Sequence, residues 1–382
     1  MSRPYFQRRK SVLTDRLPRC PFMIHETLKY QGNLPWLLPR TIPVTRAGSH
    51  AYGTNTPTSD EDYRGIAVPP PEYRDGFVHR FEQAQWADPD VVIYELRKFF
   101  NLAADCNPNI LEVLFVENDD VLHSTPAGEL LRENRQLFLS QKALHTYRGY
   151  AISQLKRIRT HRKWLLSPPT KKPTRADFNL PEHSTLPKEQ LGEINAAIQK
   201  QLDSWEPDLS IIEDASLRLA IMARFEAALT EIMAGGVDDR WQRAGRVIGL
   251  GDDILAVTGR ERAYKTAMDE WDRYQTWVAT RNQKRAELEA RFGYDTKHAS
   301  HLVRLLRTCG EILSEGTIRV RRPDARELLE IRAGTWSYEA LEEWAETEDA
   351  RIGGMVKTCP IPRTPDRAKL DRLCMDITNM VA

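Results

Sequence analysis

The stretch Ala47-Gly48-Ser49-His50-Ala51-Tyr52-Gly53-Thr54-Asn55-Thr56-Pro57-Thr58-Ser59-Asp60-Glu61-Asp62-Tyr63-Arg64-Gly65 decides how this chain is read. A β-like run ends in Gly48-Ser49, a polar loop of ten residues follows, and two aspartates then stand one residue apart. In a strand, residues i and i+2 project from one face, so Asp60 and Asp62 are expected to converge on one point. Adjacent carboxylates repel, and a divalent cation removes the conflict; Mg²⁺ favours a few carboxylates together with phosphate oxygens and water. Gly48 lets the backbone come close to a phosphate, and Ser49 adds a hydroxyl donor there. The constellation predicts a site for a metal-chelated triphosphate. The bland alternative for Ser-Asp-Glu-Asp taken alone is an acidic surface turn.

Outward from this stretch, the chain changes character once. Up to about Val116 it reads as short β-like runs, turns and prolines, with strands predicted at Thr41–Ala47, Asp62–Val68 and Asp90–Tyr94. A helix is predicted from Glu95 to Asp105, Asn107-Pro108 breaks it, and Ile110–Phe115 forms a short apolar stretch. Beyond Thr125 helical periodicity takes over, at Gly128–Leu137, Ser140–Leu166, Pro187–Asp203, Asp214–Ala234, Asp238–Gly249, Gly259–Phe292 and Asp295–Leu313. Gly235-Gly236 is a helix-ending pair, and the proline-rich 167–186 segment is expected to be an exposed loop. The expected class is α+β: a catalytic domain at 1–125 with a mixed sheet and helices, then a mostly helical domain at 126–382 that binds substrate or nucleotide.

Composition narrows the function. With 382 residues, 41% hydrophobic and 29% charged, the chain is globular and long enough for two domains. It has no apolar run long enough to span a membrane, and the opening MSRPYFQRRK lacks a secretory core, so a cytoplasmic protein is expected. Cys20, Cys106, Cys309, Cys359 and Cys374 have neither disulfide-framework nor zinc spacing and are expected to be free thiols. The net charge of +1 hides local excess. Arg3, Arg8, Arg9, Lys10, Arg16, Arg19, Lys29, Arg40 and Arg46 face only Asp15 and Glu26 in the first fifty residues. From Arg148 to Arg175 there are nine basic residues and no carboxylate. Such clusters suit a polyanion partner, or equally a solvated helix face.

The extended motif GSHAYGTNTPTSDEDYRG resembles the polymerase-β-like nucleotidyltransferases, and in particular a bacterial and phage branch associated with RNA ligases and RNA repair. The resemblance continues in VVIYELRKFFNLAADCNPNILEVLF, YRGYAISQLKRI, YDTKHASHLVRLLRTCGEIL and RPDARELLEIRAG. Glu61 departs from it, since the wider superfamily has an apolar residue between the two aspartates. The resemblance implies transfer of a nucleoside monophosphate from an NTP such as ATP to an acceptor hydroxyl, with release of pyrophosphate. It also implies two Mg²⁺ ions, or Mn²⁺ in their place, on a carboxylate triad of Asp60, Asp62 and a third residue. Asp90 opens the next strand and is preferred as that third ligand; Glu95 has the opposite parity, on the more apolar side.

Two helices supply further candidates. On the helix capped by Asp295, Lys297, His301, Arg304 and Thr308 share one face, and the first three are candidate phosphate ligands; a solvated face is the alternative. His298 falls nearer the apolar side and is read as a satisfied, partly buried histidine. In the basic segment, Arg148, Lys156, Arg157, Arg159, Arg162 and Lys163 are candidate RNA contacts, while Tyr147 and Tyr150, on the same stretch as Gln154, suit base stacking or helix packing. An RNA end, a tRNA end foremost, is the expected acceptor. Nucleotidylylation of a protein or small molecule, and an inactive nucleic-acid-binding module, are the alternatives from other classes.

Overall fold

The computed structural model of the protein describes residues 21–184, 186–204 and 237–381. The predicted helix Asp214–Ala234, the pair Gly235-Gly236, Cys20 and the basic residues from Arg3 to Arg19 lie outside the described residues. The chain forms two compact units, one of Met1–Lys163 with Gln283–Ala382 and the other of Trp164–Asn282.

The first unit is built on a five-stranded mixed sheet in the order β3-β4-β2-β1-β5. Its strands are β1 (Thr41–Ala47), β2 (Asp62–Ala67), β3 (Gln83–Ala87), β4 (Asp90–Glu95) and β5 (Val121–Ser124). β2 and β4 run parallel, and the other neighbours are antiparallel. The parity of β2 and β4 divides the core. Tyr63, Ala67, Val91 and Ile93 bury one face against Ile24 and Leu28 of α1 (Pro21–Leu28) and against Leu37 and Leu38. Ile66 joins the larger cluster on the other face.

That larger cluster contains α4 (Leu96–Ala104), α5 (Pro108–Phe115), α6 (Pro126–Glu133), α7 (Lys142–Leu166) and the 296–315, 325–332, 338–355 and 367–381 helices. Local chemistry sets their ends. The Glu95 carboxylate accepts from Lys98 N at 2.7 Å and caps α4. Asn107 caps α5 ahead of Pro108, and Thr125 caps α6 ahead of Pro126. Asp295 caps the 296–315 helix, and Gly316, at φ 64°, ends it.

Several elements differ from the sequence expectation. The expected boundary at 125/126 falls inside the first unit, because β5 pairs with β1 and the C-terminal helices share the same core. Gly48–Tyr52, read as loop, is a short helix, α2, and Ile110–Phe115 belongs to the helix α5. The predicted Gly259–Phe292 helix is two helices, Asp252–Thr280 and Gln283–Phe292. The second unit has its own small core of Ile198, Trp241, Ala244 and Leu255, with Arg175 donating to Glu261 at 3.0 Å. Among the described residues, no helix is long and apolar enough to cross a membrane, and Cys106, Cys309, Cys359 and Cys374 are free thiols.

A buried ionic contact joins three of these elements. Arg304 of the 296–315 helix donates to Glu112 of α5, and both are buried. The Arg304 guanidinium lies 3.8 Å from the centre of the Tyr52 ring on α2, and the Tyr52 hydroxyl donates to Glu112 at 2.6 Å. Breaking such a pair leaves a buried charge unmet. Arg304→Met should therefore lower stability by about 3–5 kcal/mol, and adding Glu112→Leu should restore much of it. Urea unfolding of the three proteins checks this; a loss below about 1 kcal/mol in Arg304→Met would mean that the pair does not hold α2 in place.

Candidate active site

Register brings the motif residues to one end of the sheet. Ala47 pairs with Asp62 across β1 and β2, and Asp62 pairs with Asp90 across β2 and β4. The last residue before Gly48 and two of the predicted aspartates thus stand side by side. Gly48 has φ +59°, and a Cβ there would lie 2.0 Å from Asp62 Oδ2. Only glycine fits both the left-handed backbone and the close approach. Ser49 follows on α2 and is partly exposed.

Asp60 is placed differently from the sequence reading. β2 begins at Asp62, so Asp60 lies in the preceding loop, exposed, rather than on the strand. It is still near enough to raise the Asp62 pKa and to act on Lys297. Asp62 is pushed above the ordinary aspartate range first by burial, then by a hydrogen bond to Asp90, against the lowering effect of Arg64. Arg64, two residues after Asp62 on the same strand face, donates to the Asp90 carboxylate and carbonyl, each at 3.1 Å. Glu95, the rival third carboxylate, sits at the far end of β4 and is used as the α4 cap.

A cavity of about 230 Å³ opens beside these groups, lined in part by Gly48, Tyr52, Asp62, Arg64, Tyr94 and Glu112. Among the described residues, no group of three or more His, Cys, Asp or Glu side chains is set to hold a metal ion. Asp62 and Asp90 nevertheless suit a divalent cation. They stand side by side across β2 and β4, and a cation between them would offset their mutual repulsion.

The second set of candidates is only partly gathered here. Lys297 is exposed, and its pKa is lowered first by desolvation and then by Arg332 and Arg285. His301 is held down at about 3 by burial and by Arg304, so it is neutral near pH 7 and can offer one hydrogen bond but no charge. Arg304 and Thr308 are buried, which corrects the reading of an exposed face. The 296–315 helix is buried on nearly every side, and the Arg304 guanidinium is engaged by Glu112 and Tyr52. His298 is buried against Asp295, with Nδ1 at 2.8 Å from the carboxylate.

The basic face of α7 also has partners that its own sequence could not reveal. Arg148 donates to Asp349 at 2.6 Å, Arg159 to Glu342 and Glu346 at 2.6 and 2.8 Å, and Arg162 to Glu339 at 3.0 Å. These acids lie along the 338–355 helix, so three of the six candidate RNA contacts form an interhelical ladder. Arg157 meets His298 at 3.4 Å, while Lys156 and Lys163 are exposed. Tyr147 and Gln154 are buried and belong to packing, whereas Tyr150 remains 42% exposed. Sequence reasoning missed Arg64, Tyr52 and Glu112. Only Arg64 carried a local signal, its i+2 spacing from Asp62.

A pH test follows from Asp62. Because its folded pKa is raised, its stabilising contribution is complete below roughly pH 4 and is lost as pH rises through the folded value. Metal-free Asp62→Asn should therefore be at least as stable as the parent at pH 7, with the gap closing in acid. Mg²⁺ should raise the Tm of the parent but not of Asp62→Asn. Thermal melts across pH, in EDTA and in Mg²⁺, check both; equal Mg²⁺ stabilisation of the two proteins would remove Asp62 as a ligand.

Residues 39–171 match the model of the RNA repair pathway DNA polymerase beta family. An uncharacterized 38.9 kDa protein from the nrdC-mobD intergenic region of Enterobacteria phage T4 is 31% identical over 127 residues, which cover 30% of this chain and 38% of the relative. The match thus spans well under half of that relative's length. No solved structure matches. The segment that holds Gly48, Asp60, Asp62, Asp90 and all of α7 is similar to this polymerase-β-like family linked to RNA repair, as its motif suggests.

Proposed function

We propose that the protein is a metal-dependent nucleotidyltransferase that moves a nucleoside monophosphate from an NTP to the hydroxyl of an acceptor, releasing pyrophosphate. The observation that carries this reading is the alignment of Gly48, Asp62 and Asp90 at one sheet end, with Gly48 too close to Asp62 for any other residue. Residues 1–125 would carry the catalytic carboxylates, and residues within 126–382, part of which belongs to the same unit, would contribute substrate binding. Asp60, Asp62 and Asp90 would hold Mg²⁺, two ions in the full arrangement, or Mn²⁺. Bound metal would neutralise the charge of the attacking and leaving oxygens.

The remaining steps belong to the chain's own residues. Gly48 and Ser49 would seat the triphosphate through close backbone approach and the Ser49 hydroxyl. Lys297 would supply charge, and neutral His301 one hydrogen bond. Arg64 would orient the Asp90 carboxylate, which it already bonds at 3.1 Å, to take the proton that the acceptor hydroxyl gives up. Arg304 would act on Tyr52 and Glu112 rather than on the nucleotide.

The acceptor is proposed to be an RNA end, on the strength of the family's description. One observation favours a second reading, nucleotidylylation of a protein or small molecule: the ladder from α7 to the 338–355 helix commits three of the basic residues expected to meet RNA. One assay separates the two, in which protein, Mg²⁺ and each labelled NTP are incubated with total RNA or with RNA-free extract. Label in RNA supports the first reading, and label in protein or small molecules only supports the second. Asp60→Asn, Asp62→Asn and Asp90→Ala should each lower transfer by at least about a thousandfold, as the loss of a metal-binding carboxylate predicts. Glu95→Gln should cost about 1 kcal/mol of stability through its cap and leave turnover near normal. Near-normal turnover in any folded aspartate variant would remove that residue from the site.

A further inference from the structure

Beside the Gly48 loop lies a charged cluster to which the reaction as proposed gives no role. Asp120 is 2% exposed and stands one residue ahead of β5, whose Val121 pairs with Thr45 of β1. It therefore sits at the same sheet end as Ala47, Asp62 and Asp90. Two arginines share it, with Arg321 Nη2 at 2.7 Å from Oδ2 and Arg46 Nη1 at 3.7 Å from Oδ1. Their side chains are 48% and 40% exposed.

The two arginines come from distant parts of the sequence, yet both are fixed to the nucleotide loop. Arg46 stands two residues before Gly48 and lines the same cavity as Gly48 and Asp62. Val320, the neighbour of Arg321, lines it as well. Arg322 N donates to the Tyr52 carbonyl at 3.0 Å, and a Cβ on Gly53 would meet Arg321 Cγ at 3.9 Å. The adjacent arginines have different tasks. Arg322 is buried and makes two 2.8 Å bonds to Glu311, whereas Arg321 comes out to Asp120 and solvent.

We infer that Arg321 and Arg46, held by Asp120, form a phosphate-binding subsite at the rim of the nucleotide cavity. This inference rests on the nucleotidyltransferase reading for its ligand. Arg321 gives Nη2 to Asp120, Arg46 Nη1 is shared between Asp120 and the Asp119 carbonyl at 3.4 Å, and both guanidinium groups have further N–H donors at a half-exposed surface. A planar fork with spare donors matches phosphate oxygens in pairs, and a buried carboxylate behind it removes the cost of ordering the side chain at binding. Phosphate could come from either of two substrates. The terminal phosphates of the NTP, leaving as pyrophosphate, are one source, and a backbone phosphate of a nucleic-acid acceptor is the other.

The test uses the full chain and two variants. Arg321→Gln removes the fork but leaves Arg46 to neutralise Asp120, and Arg321→Lys keeps the charge without the fork. Binding of ATP and of pyrophosphate, both with Mg²⁺, and of a labelled RNA oligonucleotide is measured by titration at several salt concentrations. Losing charged hydrogen bonds should weaken the affected ligand by about tenfold or more in Arg321→Gln and by less in Arg321→Lys. Weaker ATP and pyrophosphate binding with unchanged RNA binding assigns the terminal phosphates. Weaker RNA binding with a salt slope smaller by about one assigns the acceptor phosphate. Unchanged binding of all three probes in folded variants overturns the subsite. If the parent protein transfers nucleotide while Arg321→Gln binds normally, only this inference fails. If the parent transfers none yet binds pyrophosphate through Arg321, the transferase reading fails and the subsite stands.

Discussion

The contact on which the site depends is the buried Glu112–Arg304 pair beneath Tyr52. α2 is only five residues long, far too short to persist alone, and the side chain before it makes no capping bond. It is held from outside instead. The Tyr52 ring lies against the Arg304 guanidinium, its hydroxyl donates to Glu112, and its carbonyl accepts from Arg322 N. The last residue of α2 is thereby tied to α5 and to the C-terminal helices, while Gly48 at its start is pressed against Asp62. Loop position in this protein is set by residues more than two hundred places away in sequence. The C-terminal helices are part of the site's scaffold rather than an appendage to it.

How much was legible follows from the range of each interaction. Gly48, Ser49, Asp62 and Asp90 could be singled out because their signals are local: a glycine at a strand end and carboxylates at strand starts. The strand bounds at Thr41, Ala47, Asp62 and Asp90 were readable for the same reason, being marked by flanking turns and prolines. Asp60 was placed wrongly because two-residue alternation holds only inside a strand, and β2 begins two residues later. Arg304 was misread because a helical wheel separates polar from apolar residues but cannot see a buried Glu112 waiting opposite. A cation on a polar stripe looks solvated until its partner is known.

The same limit explains the basic stretch of α7. Nine cations without a carboxylate between Arg148 and Arg175 look like a polyanion footprint within their own window. For Arg148, Arg159 and Arg162 the compensating acids lie on another helix, at Glu339, Glu342, Glu346 and Asp349, in antiparallel order. Each such exposed pair contributes only about 0.2–1 kcal/mol, so the ladder fixes alignment more than it adds stability. The overall charge of +1 was the hint available in the sequence. A chain so nearly neutral must hold its acids somewhere, and long-range pairing is the economical place.

Charge is arranged oppositely at the sheet end. In the core and along α7, Arg304, Arg148, Arg159 and Arg162 meet acids, and the fold is stabilised by their contact. At Asp62 and Asp90 the register of two parallel strands forces like charges together, and Arg64 relieves Asp90 more than Asp62. The result is a half-buried carboxylate that keeps its proton more tightly than an ordinary aspartate. Repulsion and desolvation both act against the pair. Arg64 is a cation that meets the pair within the fold, and in the proposed function the metal of a metal-bound nucleotide would add positive charge there. The contrast of this one corner with the pairing found elsewhere is the physical basis for the proposed function.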